Sequence, residues 1–280
     1  MTGRVDFGII HSSIYLMSNH LLIVVWGATL CMTGRVQASL VAEDNFNYSN
    51  GSSLAGANGG TGWTGAWIND YTSGTSLQAS STGLTYPGLT TGGSAVWVSG
   101  GNGISEDSRS LALQSAGLVY IQFLCQFGSA SGGGTPNIRL YNSGTLTGGF
   151  GANGGTYGSV LSILDGSLTP AANGSSSSTA SLSGVNLVVG LIDYQNDSTK
   201  LWVNPDLATF DYATPPAPDA SYAGLAPAFN QIAIYSRSPA TVSDLQITTV
   251  PEPVSAAMAG FGLVVLGFGL GRRWWAGFRR

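Results

Sequence analysis

The chain reads as an all-β protein, a two-sheet sandwich carrying a targeting segment at each end. Three observations carry that reading. Only 9% of the 280 residues are charged while 41 are Gly. Gly, Ser, Thr and Asn favour turns or lose much entropy in a helix, so an all-helical or coiled-coil chain is excluded. A hydrophobic fraction of 43% supplies a core and excludes wholesale disorder. Between positions 39 and 250, short apolar runs alternate with turn-rich loops, and no helical period is visible.

The elements follow in order. Residues 21–32 form an apolar run too short to span ~30 Å of hydrocarbon, but fitting the core of a secretion signal. Val36-Gln37-Ala38 puts small residues where a signal peptidase reads, so residues 1–38 are assigned as signal peptide, cleaved between Ala38 and Ser39. Translation starts at Met1 or Met17. Residues 39–250 form the β-sandwich ectodomain, with strands expected at 40–45, 84–86, 95–99, 111–113, 119–127, 138–141, 160–164, 185–192, 201–203, 232–235 and 245–248. Val119, Ile121, Phe123 and Cys125 alternate with Tyr120, Gln122 and Leu124, so the first set faces inward. The stretch 185–192 is almost continuously apolar, as for a strand buried on both faces. Segments 129–135 and 171–181, rich in Gly or Ser, are expected as loops.

Charge and residue type remove whole function classes. Residues 39–250 hold four basic and twelve acidic side chains, a formal charge of −8. No cluster of Lys or Arg can replace the counterions of a phosphate backbone, which excludes nucleic acid as a partner. His11 and His20 precede or enter the signal and leave with it, so the mature domain has no histidine for a Ser-His-Asp or Cys-His mechanism. With Cys31 in the signal, Cys125 stands alone, as a buried small hydrophobe. Glu43 and Glu106 are each followed directly by an aspartate, and adjacent strand residues point to opposite faces. No catalytic group is assigned. Asp193 and Asp197 straddle a turn, either capping it or, with Asp206 and Asp211, offering oxygens to calcium; no cofactor is otherwise expected. Trp63 and Trp67 lie in a Gly-rich loop, either as a glycan-binding platform or as a lid over the sandwich edge, whereas Trp97 and Trp202 are expected in the core.

The C-terminus carries Pro251-Glu252-Pro253, seventeen apolar or small residues at 254–270, then Arg272 and Arg273, Trp274, Trp275, Arg279 and Arg280. Such a helix is just long enough to cross a bilayer, and the arginines hold its end on the cytoplasmic side. This triplet, single helix and basic cluster at 251–280 resemble the PEP-CTERM sorting signal. The resemblance implies export by a Gram-negative bacterium that makes exopolysaccharide. It also implies recognition by an exosortase-type membrane enzyme while the C-terminal helix sits in the inner membrane. The second arginine pair and Trp-Trp depart from the family pattern. Within the ectodomain, Asn45-Phe46-Asn47-Tyr48, Asn58-Gly59-Gly60-Thr61-Gly62-Trp63, Gly65-Ala66-Trp67, residues 201–206 and residues 243–247 resemble exported PEP-CTERM proteins with a concanavalin-A-like jelly roll. The function this implies is a non-enzymatic cell-surface or extracellular-matrix protein associated with extracellular polysaccharide. The alternatives are a polysaccharide-active, glycoside hydrolase-like enzyme, and a structural surface protein with no glycan affinity.

Overall fold

The computed structural model describes residues 38–70, 77–89, 92–96, 104–127, 137–152, 160–167, 177–181, 184–236 and 240–250. The signal peptide, the Pro-Glu-Pro tail and Trp97 lie outside the described residues. Among the described residues, fifteen strands, numbered in chain order, pair antiparallel in two sheets, and no helix occurs. The first sheet runs β13 (Ala220–Ala223), β12 (Ser198–Val203), β11 (Asn186–Asp193), β6 (Leu118–Phe127), β15 (Ala240–Val250), β4 (Ser94–Val96) and β3 (Gln78–Ser80). Its eighth strand, β1 (Ser39–Asp44), pairs with β15 on the edge that β4 also uses. The second sheet runs β10 (Ser177–Ser181), β9 (Val160–Asp165), β8 (Thr145–Ala152), β7 (Asn137–Asn142), β14 (Phe229–Ser236), β5 (Ser105–Gln114) and β2 (Ile68–Asn69). Ser39 pairs with Thr249, so the sandwich begins and ends at neighbouring points.

One core fills the space between the sheets. β6 contributes Val119, Ile121, Phe123 and Cys125, the set that period-two alternation assigns inward. The second sheet answers with Ile138, Leu140, Phe150, Ile163, Ile232 and Ile234. Each such side chain taken from water stabilises the fold by roughly 1.5–3 kcal/mol before entropy is charged against it. Gly190 on β11 makes room for a side chain of the second sheet, because a Cβ there would run into the Phe150 ring. Burial pushes the Cys125 thiol well above its ordinary pKa, consistent with an inert core position.

β11 is buried along its whole length, as its apolar run requires. One face meets the core. A strap of residues 204–219 lies against the other: Tyr120 Oη donates to the Tyr212 carbonyl at 2.7 Å, and Trp202 Nε1 donates to the Pro216 carbonyl at 3.0 Å. Phe210 packs edge-on against both Trp202 and Tyr212, at centroid distances of 5.5 and 5.1 Å. Trp202 is therefore buried, but beneath this strap and outside the inter-sheet core.

Three sequence expectations are corrected. Residues 84–86 form no strand; Tyr86 makes only an isolated bridge to Leu89. Residues 177–181, expected within a loop, form β10. The strand expected at 111–113 is the end of the ten-residue β5, whose first half, Ser105 to Ser110, is polar. β8 was hidden by its glycines at 148, 149 and 151, and it returns from β7 through Ser143 and Gly144, both at positive φ.

Candidate functional site

Three polar assemblies are built on this frame. The first is internal. Asp44 at the end of β1 is 1% exposed, and its carboxylate accepts from Arg109 Nη1 at 2.7 Å, Tyr48 Oη at 2.6 Å, Trp67 Nε1 at 2.8 Å and the Phe46 amide at 2.8 Å. Arg109, arriving from β5, also donates to the carbonyls of Gly65 and Gly59 and to Asn58 Oδ1, each at 2.7 Å. Burial, then the hydrogen bond to Asp44, push the Tyr48 hydroxyl up to about 12. Trp63 Nε1 donates to the Glu43 carbonyl at 2.8 Å, and the Arg109 guanidinium carbon lies 5.1 Å from its ring centroid. This knot ties the Gly-rich segment down onto β1 and β5. Trp67 is 1% exposed with its N–H taken, which corrects its expected place on a glycan platform. Trp63 is half-buried against it, in the manner of a lid.

The second assembly occupies the face of the second sheet that points away from the core. Register aligns Glu106, Tyr235, Asn137, Gly151 and Ser162 in one row. The next row is Ser108, Ala233, Arg139, Gly149 and Leu164; beyond it Ser110, Gln231 and Tyr141 align. Arg139 Nη1 lies 3.0 Å from Glu106 Oε2, its Nε donates to Asn137 Oδ1 at 3.0 Å, and its guanidinium stacks 3.3 Å from the Tyr235 ring centroid. Tyr141 Oη donates to Glu106 Oε1, and Gln231 Nε2 donates to Ser108 Oγ at 2.6 Å. Burial and then the bond to Glu106 raise the Tyr141 pKa. Glu106 and Arg139 are 5% and 9% exposed; Tyr141 and Gln231 are half-buried and Ser110 is exposed, so the assembly opens at that end. Glu106 stood out in the sequence only as a lone carboxylate, and its grouping with Arg139, Tyr141 and Gln231 was hidden because β5 begins polar. The alternation of Glu106, Ser108 and Ser110 with Asp107, Arg109 and Leu111 was the available signal.

The third lies on the outward face of the first sheet. Asp244 and Leu245 together oppose Phe123, a bulge in β15, and Asp244 takes φ of 52° there. Its Oδ1 accepts from Gln246 Nε2 at 3.2 Å, and Gln122, which also steadies it, accepts from Tyr212 Oη at 2.7 Å. Burial raises the Asp244 pKa, and the charge of Glu43 adds to this against the two amides. A carboxyl raised in the folded state favours folding below the ordinary carboxylate pKa and loses that contribution as pH rises through the raised value. Asp244→Asn, which tolerates the same φ, is therefore expected to melt higher than wild type at pH 7, with the advantage shrinking toward pH 4. Melting curves across that range check it; a variant less stable at pH 7 contradicts it.

The aspartates considered for calcium serve turns. Asp193 accepts from the Asn196 amide at 3.0 Å and from Asn196 Nδ2 at 2.8 Å, and Asp197 closes the same turn at φ of 44°. Asp206 and Asp211 cap their own loops through the amides of Ala208 and Ala213. Among the described residues no three His, Cys, Asp or Glu side chains gather as a metal site.

No family model matches the chain, and no curated protein matches it. Several solved structures align with the chain at low identity. A GH131 β-glucanase catalytic domain from Podospora anserina aligns at 14% identity and TM-score 0.43, over 78% of this chain and 99% of that one. The carbohydrate-binding module CBM66 from Bacillus subtilis aligns at 10% identity and TM-score 0.37, over 65% of this chain and 94% of that one. The receptor-binding domain of botulinum neurotoxin mosaic serotype C/D aligns at 10% identity and TM-score 0.40, over 80% of this chain. This chain spans about half of that domain, 51%. What the strands define by themselves is an all-β, two-sheet sandwich protein.

Proposed function

We propose that the protein is an exported, non-enzymatic surface or matrix component whose sandwich, a jelly roll in our reading, associates with extracellular polysaccharide. The observation that carries the proposal is the outward face of the second sheet. There Tyr141 and Gln231 are half-buried beside the exposed Ser110, and Glu106, Asn137 and Arg139 lie buried behind them with Ser108, Ala233, Gly149 and Gly151. Sugar hydroxyls are met by groups that both donate and accept, and the half-buried Tyr141 and Gln231 offer such groups at the open end of the face. Retention of the folded protein in gels cast with the producing bacterium's own polysaccharide is expected; no retention removes the reading.

Export rests on the two ends of the chain. The sandwich begins at Ser39, directly after the cleavage point assigned from Ala38, and ends at Val250, directly before Pro251-Glu252-Pro253. We read the latter, with the apolar stretch, Arg272 and Arg273, as a PEP-CTERM signal that halts in the inner membrane and is cleaved by an exosortase. Mass spectrometry of the surface form is expected to show a C-terminus near residue 253; a mature chain ending at Arg280 reduces the tail to an anchor. A second reading, hydrolysis of the polysaccharide, has one observation in its favour: Asp244 is a raised carboxyl with Glu43 close enough to act on it.

A further inference from the structure

Resting on the reading that the second sheet's outward face binds polysaccharide, we propose that its ligand is an uncharged polysaccharide, and that uronate- or sulfate-bearing chains are rejected. The reason is that every cation described in the sandwich is already matched to a carboxylate. Arg109 is paired with Asp44 at 2.7 Å, Arg139 with Glu106 at 3.0 Å, and Lys200 with Asp193 at 3.9 Å. The remaining cation of residues 39–250, Arg237, lies outside the described residues. Residues 39–250 carry twelve carboxylates against four cations, a formal charge of −8.

The described residues of the face sum to zero. Arg139 spends Nη1 on Glu106, Nε on Asn137 and its flat surface on Tyr235. A polyanion would have to draw Arg139 away from Glu106, and Glu106, 5% exposed, would then stand against a second negative charge at low dielectric. Neutral hydroxyls impose no such exchange. They meet the half-buried Tyr141 and Gln231 at the open end and leave the Glu106–Arg139 pair behind them undisturbed. The acidic molecule as a whole acts in the same direction, since it repels a polyanion before contact within a screening length of about 8 Å at physiological salt.

The test uses the full-length protein in mild detergent and affinity gels cast with dextran, xylan or mixed-linkage β-glucan on one side, and alginate, polygalacturonate or chondroitin sulfate on the other. At least one neutral polymer is expected to retain the protein, with retention changing less than twofold between 20 and 200 mM salt. No acidic polymer is expected to retain it at 150 mM salt. Glu106→Gln keeps an acceptor for Tyr141 but releases the charge of Arg139, so polygalacturonate retention should appear in this variant while a melting curve certifies its fold. Retention of wild type by an acidic polymer, strengthened at low salt, overturns the charge rule while leaving glycan binding in place. Retention by none of the polymers overturns the binding reading and the inference with it. If Glu106→Gln fails to fold, the wild-type panel and its salt dependence decide alone.

Discussion

Arg109→Leu is expected to lower the stability of the sandwich by about 3–5 kcal/mol, the loss found when one partner of a buried ion pair is removed. Asp44 is the reason. At 1% exposure its carboxylate cannot recover solvation, and the tyrosine, indole and amide donors that remain carry no full charge to offset it. The guanidinium also closes the knot, joining the carbonyls of Gly59 and Gly65 to β5. At roughly 2–4 °C per kcal/mol for a domain of this size, the melting point should fall by on the order of 6–20 °C. Asp44→Asn in the same background should return part of the loss, because no uncompensated charge is then left inside. A melting point within 2 °C of wild type for Arg109→Leu would mean that the knot does not hold the segment.

Gly62→Ala is the second large effect, and its cause is backbone and not charge. Gly62 has φ of +79°, and a Cβ built there falls onto the Val41 carbonyl oxygen and lies 2.7 Å from the Ala42 Cα. A left-handed conformation costs a non-glycine residue roughly 1–2 kcal/mol, and forcing backbone apart in a packed region adds about 1–3 kcal/mol. The combined loss is about 2–5 kcal/mol. Because β1 is the element displaced, its pairing with β15 should loosen first. Amide hydrogen exchange reads this directly: protection at residues 40–44 should fall well before protection along β6. Uniform protection, or an unchanged melting point, contradicts the close approach of segment 59–63 to β1.

Much of this frame was legible because burial writes itself into residue order. Alternation placed Val119, Ile121, Phe123 and Cys125 inward, and the unbroken apolar run of β11 marked burial on both faces. What covers its second face was not legible, since residues 204–219 read only as a turn-rich link between strands. The Gly-rich motif around Trp63 and Trp67 was visible as a motif but not as a role. Its spacing serves Asp44 and Arg109, which lie 65 positions apart in the chain. The candidate site was the least legible part. Glu106, Arg139, Gln231 and Tyr141 come from three strands and meet only through register, and a polar strand such as the first half of β5 gives no hydrophobic period to find.

That register-built face is the central claim, and a three-way comparison in affinity gels tests it. The samples are full-length wild type, a Tyr141→Ala/Gln231→Ala double variant at the open end of the face, and Thr248→Ala on the outward face of the other sheet. Tyr141 and Gln231 each donate to a buried acceptor, so the double variant should melt several degrees below wild type and is compared at a temperature where its melting curve shows it folded. In gels cast with the producing organism's polysaccharide, wild type and Thr248→Ala should be retarded equally, and the double variant should migrate as it does without polysaccharide. A folded double variant retarded as strongly as wild type would show that the glycan is not held by this face.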